Sequence, residues 1–160
     1  MKFRLLLGSG LACLLGAGVA HAQLSVDVTD ESGNDLSIAV PVLPTPQATP
    51  TAAGSTDVLG RQIAEVIAAD LRGSGLFKPV GPAGIRAIGS DEVTAPQFDA
   101  WAASGAEALV QGFVRANGNG ELTVGCYLYD VALKSELTRQ GYVIAPRDWR
   151  RAARKCADAI

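Results

Sequence analysis

The chain has 160 residues, of which 48% are apolar and 19% charged, and its formal net charge at pH 7 is −2. This composition is typical of a single globular domain and argues against a disordered or fibrous protein. The nearly balanced charge gives no reason to expect nucleic acid or an anionic membrane surface as a partner.

The first 22 residues have the pattern of an export signal that is cleaved. A basic start is followed by an apolar stretch too short for a bilayer-spanning helix, and Ala20-His21-Ala22 places small residues at positions −3 and −1 of a cleavage site. We predict cleavage after Ala22, which leaves residues 23–160 as the mature domain with no direct membrane span. The single histidine of the chain, His21, would be lost with the leader. Its loss excludes histidine metal sites, Ser-His-Asp triads and Cys-His dyads.

The first half of the mature chain predicts two strands, a loop and a helix. Alternating apolar and polar residues over 23–29 predict a strand. A β-branched run over residues 37–43 predicts another, with Pro41 at an end or at a sheet edge because it has no N–H to donate. Residues 44–55 contain three prolines and predict an extended surface loop. Helical spacing follows over residues 56–73. The predicted inward face of this helix comprises Val58, Ile63, Val66, Ile67 and Leu71.

The second half predicts four strands and two helices. The strands are expected at residues 76–80, 108–115, 121–130 and 136–144, and the helices at residues 96–105 and from Arg147 onward. The Asn-Gly-Asn-Gly run at residues 117–120 favours a hairpin because these residues tolerate a positive φ. This order predicts an α/β fold, in which helices pack on a mixed β-sheet within one domain.

The two cysteines that remain after cleavage fall on faces that could meet. Cys126 lies on the apolar face of its predicted strand, and Cys156 lies on the buried stripe of the last predicted helix. Two buried free thiols are the simpler expectation for such positions. A Cys126–Cys156 disulfide is the alternative if that helix covers that face, because export would place the chain in an oxidising compartment.

No arrangement of residues indicates catalysis, a metal or a cofactor. Four carboxylates fall in predicted loops or on helix surfaces: Asp91, Glu92, Asp99 and Glu107. They lack a partner base and metal-ligand spacing, so we expect them to be solvated. An exported hydrolase would need two acidic residues that face one cleft, and the sequence indicates no such pair. The basic run at residues 147–155 is expected to be a solvated helix face, with docking to another domain or protein as the alternative.

The predicted first strand has a functional interpretation. Cleavage after Ala22 would leave it as a free-ended segment, which can pair with its own sheet or add to the sheet edge of another protein. An ordinary edge strand of its own domain is the simpler alternative. The candidate partner-binding residues are Gln23, Leu24, Ser25, Val26, Asp27, Val28 and Thr29.

Four stretches of the mature chain together carry a family resemblance. They are IAADLRGSGLF at residues 67–77, GAEALVQG at residues 105–112 after Trp101, LYDV at residues 128–131, and RRAARKCADAI at residues 150–160. In this order, and behind a leader, they resemble the N-terminal domain of the TolB family. The resemblance covers nearly the whole mature chain.

This resemblance implies a non-enzymatic periplasmic protein of the Tol-Pal system, without a cofactor. The family continues after such an α/β domain with a six-bladed β-propeller that binds the lipoprotein Pal, so we expect this chain to be truncated before the propeller. The N-terminal segment of the family contacts the C-terminal domain of the inner-membrane protein TolA, and residues 23–29 take that position here. The family supports outer-membrane integrity, cell division and protein import, including that of bacteriocins.

The alternative is an envelope lipoprotein binding module of the curli-secretion or peptidoglycan-synthase-activator type. Such modules resemble this chain in an Ile-Ala-Val-Pro strand, a proline-rich loop and a helix ending in Ser-Gly-Leu-Phe. A lipid on Cys13 would favour this alternative, whereas a mature chain that starts at Gln23 would favour the TolB-like interpretation.

Overall fold

The computed structural model describes residues 35–160, which form a mixed β-sheet with helices packed on it. The predicted leader and the predicted strand at residues 23–29 lie outside these residues. In chain order the elements are β1 (Leu36–Ala39), β2 (Pro50–Thr51), β3 (Gly54–Ser55), α1 (Thr56–Gly73), β4 (Phe77–Val80), α2 (Phe98–Ala103), β5 (Ala108–Ala116), β6 (Leu122–Asp130), β7 (Ser135–Ile144) and α3 (Trp149–Asp158). None of the helices within residues 35–160 is long and apolar enough to cross a bilayer.

The main sheet has five strands in the order β4-β1-β5-β6-β7. β1 is parallel to both of its neighbours, whereas β5, β6 and β7 are successively antiparallel. A tight turn joins β5 to β6, with the Asn117 N–H donating to the Glu121 carbonyl oxygen at 2.8 Å. The predicted α/β class with a mixed sheet is confirmed.

Helices α1 and α3 cover one face of the sheet. Ile63 and Ile67 of α1 are fully buried, as their spacing predicted, in a core that also contains apolar residues of β1, β5 and β6. Val58 was also predicted to point inward, but it is 44% exposed. That prediction was wrong because Val58 precedes Ile63 by five residues, which turns it about 140° away on a helix of 3.6 residues per turn.

Strand β1 is shorter than predicted and ends at Ala39. Val40 still donates to the Val80 carbonyl oxygen at 2.9 Å, but Pro41 has no N–H and the ladder stops. The chain then crosses over α1, where Leu43 packs so closely on Gly60 that no Cβ would fit there. The predicted strand over residues 37–43 is therefore a short strand followed by a buried crossover.

The predicted loop over residues 44–55 contains the two-residue strands β2 and β3 and is anchored by one hydroxyl. Thr56 Oγ1, fully buried at the start of α1, accepts from the Thr49 N–H and from Thr45 Oγ1, both at 3.0 Å. It donates in turn to the Gln47 carbonyl oxygen at 3.3 Å. This network fixes the loop where α1 begins.

The second face of the sheet is covered in part by the connection from β4 to β5. Trp101 of α2 and Val93 of a 3-10 turn (Glu92–Thr94) pack there on Leu109 and Tyr129 of the sheet. This smaller cluster is separate from the core under α1 and α3. The domain thus has two cores, one on each side of its sheet.

Candidate functional site: interaction surfaces

The predicted partner-binding residues, 23–29, lie outside the described residues, so the structure does not test them. The described part begins just before β1, which is held on both sides. Leu36 donates to the Leu76 carbonyl oxygen at 3.2 Å, and Glu107 donates through its N–H to the Ser37 carbonyl oxygen at 2.9 Å. The first strand after the predicted partner-binding segment is therefore an interior strand of the sheet.

The two edges of the sheet differ in what they offer a partner strand. β7 has ten residues, whereas β4 has four and contains Pro79, which cannot donate a hydrogen bond. Leu137 and Val143 on β7 are 57% and 61% exposed. Within residues 35–160 neither edge strand has a second neighbour. An added strand would find a long row of backbone groups along β7 and few along β4.

A groove of about 440 Å³ opens near the start of β1. The two acidic residues that line it accept hydrogen bonds from backbone N–H groups. Glu107 Oε2 accepts from the Ser37 N–H at 2.9 Å. Asp130 Oδ1 accepts from the Leu133 N–H at 2.7 Å in the turn after β6. Each of these two carboxylates is thus a backbone acceptor with its own partner.

Two further carboxylates are held in ion pairs. Glu92 was predicted to be solvated, but it is buried. Its two carboxylate oxygens accept hydrogen bonds from the two terminal nitrogens of Arg86, at 2.6 and 2.9 Å. Asp99 is exposed, as predicted, and accepts from Lys134 Nζ at 2.7 Å. Within the part of the chain that the structure describes, no three His, Cys, Asp or Glu residues are grouped to hold a metal ion.

The pKa values of one phenol and one carboxyl group are shifted further from neutral pH. Burial raises the pKa of Tyr129 to about 12, and the nearby carboxylate of Glu136 adds to the effect. The Tyr129 hydroxyl donates to the Val93 carbonyl oxygen at 2.9 Å. A hydrogen bond from the Ser55 hydroxyl lowers the pKa of Asp57. Neither group is poised to exchange a proton near pH 7.

The cysteines form a disulfide that links the sheet to the last helix. Cys126 of β6 and Cys156 of α3 are bonded, with their Cα atoms 5.9 Å apart. The expectation of two free thiols was therefore wrong. The alternative is correct because α3 covers the apolar face of β6, where Cys126 lies. The bond fixes α3 on the sheet.

Four exposed arginines form what we call the arginine stripe: Arg147, Arg150, Arg151 and Arg154. Arg147 lies in a 3-10 turn (Pro146–Asp148) and the other three lie on α3, which begins two residues later than predicted, at Trp149. The Arg150 guanidinium lies 4.3 Å from the centre of the Trp149 ring. Arg151 is 3.8 Å from Asp148. The prediction that these residues face outward is confirmed by their exposure, while Trp149, on the opposite side, is buried.

Comparisons with known proteins agree on one family. Residues 24–137 match the family described as the TolB amino-terminal domain. The chain is 51% identical over 160 residues to the Tol-Pal system protein TolB of Rhizorhabdus wittichii, covering all of this chain and 36% of that protein. It is 57% identical over 137 residues to the protein of the same name from Zymomonas mobilis, covering 86% of this chain and 30% of that protein.

A solved structure supports the fold. The crystal structure of TolB from Acinetobacter baumannii superposes with a TM-score of 0.57 and 20% identity, covering 78% of this chain and 27% of that one. The chain thus spans about a third of the length of the curated relatives that it matches. Since the family match covers more than half of the chain and agrees with the sheet and helices described above, the chain belongs to the TolB family through its amino-terminal domain.

Proposed function

We propose that this chain is a non-enzymatic binding domain of the Tol-Pal system in the periplasm, and that residues 23–29 bind the C-terminal domain of TolA. The observation that carries the proposal is 51% identity, over the whole chain, to a protein named for that system. Pal would be bound by the propeller of the longer family proteins. The chain would then serve outer-membrane integrity, cell division and protein import, including bacteriocin import.

Two further observations support this function, one for the leading segment and one for a non-enzymatic role. The family match begins at residue 24, so the family domain includes all but the first of the seven predicted residues. The carboxylates Glu92, Glu107 and Asp130 are each engaged in an ion pair or a backbone hydrogen bond, which leaves little for catalysis. A binding role by an exported strand is the simplest function compatible with both.

The mechanism is strand addition to a sheet edge of TolA. Backbone N–H and C=O groups of residues 23–29 would pair with that edge and supply affinity. Leu24, Val26 and Val28 share one face of an extended strand, because side chains alternate with a period of two. This face would cover an apolar surface of TolA, while Ser25 and Asp27 remain solvated.

Deletion of residues 23–29 tests the proposal. We expect the processed chain without them to lose measurable binding to the C-terminal domain of TolA in calorimetry. Thermal unfolding should be unchanged, because the anchors of β1 begin at Leu36. Retained affinity, or loss of the folded state together with the segment, would contradict the proposal.

A proline pair sharpens the test of strand addition. In an antiparallel or parallel ladder, the N–H groups of successive residues point to opposite sides of the strand. We therefore expect Val26→Pro and Asp27→Pro to weaken TolA binding unequally, because only one of the two N–H groups faces TolA. Equal effects of the two substitutions would indicate that side chains, and not a ladder, make the contact.

Mass spectrometry of the mature chain separates this proposal from the lipoprotein alternative, which requires a lipid on Cys13.

A further inference from the structure

The positive charge of the described residues is concentrated in one short stretch. Five of the twelve lysines and arginines in residues 35–160 lie at positions 147–155, where Asp148 is the only acidic residue. Elsewhere in residues 35–160, seven basic residues face twelve acidic ones. A chain that is acidic overall thus carries a strongly basic patch on α3.

The side chains of the arginine stripe are exposed and are not packed into the core. Arg150, Arg151 and Arg154 lie on the exposed side of α3, and Arg147 is exposed in the 3-10 turn that leads into this helix. The opposite side of α3 is buried in the core through Trp149, Ala152 and Ala153. Within the described part of the chain, Arg151 is the one member with a carboxylate within 4.0 Å, and that ion pair is long, at 3.8 Å.

An open groove of about 250 Å³ lies beside the stripe, between α1 and α3. Val66, Ala69 and Trp149 supply apolar surface to it, whereas Gln62, Glu65 and Arg150 form the polar part of its wall. The guanidinium of Arg150 is held against the Trp149 ring, at the junction of groove and stripe. Apolar surface and positive charge are therefore adjacent.

Helix α3 is also held in place by a covalent bond and a hydrogen bond. The Cys126–Cys156 disulfide fixes α3 to β6, and the Tyr142 hydroxyl donates to the Lys155 carbonyl oxygen at 3.1 Å. A rigid surface loses little conformational entropy when a ligand binds. The helix can therefore present its arginines without first becoming ordered.

We propose that the arginine stripe and the α1–α3 groove together bind an acidic segment of another protein that carries one apolar side chain. Arginine pairs with carboxylates through two parallel hydrogen bonds, and the groove accommodates the apolar side chain. A protein segment fits better than an anionic membrane, because the apolar side of α3 is already buried and cannot insert into lipid. The proposal uses no residue of the leading segment and is independent of the proposed binding of TolA.

The test is a titration of the ¹⁵N-labelled processed chain with a synthetic 16-residue peptide. The peptide carries glutamates at i, i+3, i+4 and i+7 and a single leucine beside them. We expect chemical-shift changes at the amides of α3 and at the indole N–H of Trp149, with that of Trp101 unchanged because it lies in the other core. Affinity should fall on raising NaCl from 50 to 300 mM, because exposed ion pairs are screened.

Charge reversal on the stripe and away from it gives a matched comparison. We expect Arg150→Glu/Arg154→Glu to weaken peptide binding about tenfold or more. Lys78→Glu/Arg115→Glu makes the same change in net charge on other elements and should alter affinity less than about twofold. Ala69→Gln fills the groove without changing charge, and either this variant or a Leu→Ser peptide should weaken binding about tenfold.

Three outcomes would overturn the proposal. The first is no shift of the Trp149 indole at millimolar peptide. The second is an equal loss of affinity in the stripe variant and its control. The third is binding to phosphatidylglycerol vesicles without binding to the peptide, which would assign the patch to lipid. Thermal unfolding of each variant separates a loss of binding from a loss of fold.

Discussion

The two faces of the sheet are closed in different ways. On one face, α1 and α3 pack apolar side chains on the strands, and a disulfide joins α3 to β6. On the other face, a connection with only short helical turns covers part of the sheet. The first face depends on periodic apolar residues, whereas the second depends on individual polar contacts and aromatic side chains.

The polar contacts of the second face join residues that are buried or partly buried. Arg86 and Glu92 are paired at 2.6 Å, and the Arg86 guanidinium also lies 5.3 Å from the centre of the Trp101 ring. The side-chain amide of Gln111 in β5 lies 2.9 and 3.0 Å from the carbonyl oxygens of Glu92 and Val93, and we assign its NH₂ group to that side because only this orientation lets it donate to both. Such a network holds a segment that has too little regular structure to supply its own hydrogen bonds. The contrast teaches that one sheet can be covered either by a repeating pattern or by a few fixed contacts.

Reducing the disulfide should have the largest effect on the helix-covered face. Closing a loop of 30 residues, the separation of the two cysteines, contributes about 3.5 kcal/mol to the free energy of unfolding. We expect urea unfolding to show a loss of this order when reductant is added. A Cys126→Ala/Cys156→Ala variant should not respond to reductant, and a response there would assign the effect to another group.

Hydrogen exchange tests whether that loss is confined to one face. After reduction, amides of α3 should exchange faster while the protection of residues 81–107 changes less. Equal acceleration on both faces would remove the distinction between the two cores.

Breaking the buried ion pair should have an intermediate effect, on the second face. Glu92→Ala leaves Arg86 without its partner, but the Arg86 side chain is 32% exposed and can be partly hydrated. We expect a loss of about 2 kcal/mol in the free energy of unfolding. The exposed pair of Asp99 and Lys134 is the control, and Asp99→Ala should cost no more than about 0.5 kcal/mol. Equal costs would mean that burial of the pair contributes nothing.

Removing one hydroxyl should have the smallest effect at neutral pH. Tyr129→Phe loses the hydrogen bond to the Val93 carbonyl oxygen and should cost about 1 kcal/mol at pH 8. The difference in stability between the variant and the unmodified chain should change sign at high pH. The pKa of Tyr129 is raised to about 12 in the folded chain, so the unfolded chain loses its proton first and stability falls between about pH 10 and 12.

The variant lacks this titration, so its stability should approach and then exceed that of the unmodified chain near pH 11. Urea unfolding of both proteins from pH 8 to 11.5 measures the difference. A constant difference across this range would show that the hydroxyl is not buried as described.

The helix-covered face could be predicted from the sequence because burial repeats along its elements. Ile63 and Ile67 follow the helical period, and Leu122, Val124 and Cys126 follow the strand period. Val58 was misassigned because it was grouped by its apolar character at a spacing that does not fit a helix. The disulfide was not decided by the sequence, because pairing depends on how α3 is placed over β6.

The second face could not be predicted to the same extent. Glu92 in a glycine-rich connection has the composition of a surface residue, and only the folded chain brings Arg86 and Gln111 beside it. The one sequence signal of this ion pair was that Arg86 precedes Glu92 by six residues. The groove between α1 and α3 was also missed, because the packing of two helices is not encoded in the period of either one. The leading segment, residues 23–29, stays a prediction.

The place of β1 in the sheet has a consequence for the order in which the domain can be completed. β1 is the first strand of the described chain, yet its two neighbours, β4 and β5, begin only at Phe77 and Ala108. Whenever the chain emerges amino end first, as in passage across a membrane, β1 therefore appears long before either neighbour and keeps one side open until β5 has emerged. The antiparallel trio of β5, β6 and β7, joined by short turns, faces no such delay, because the entropy of loop closure grows with the separation of the paired residues.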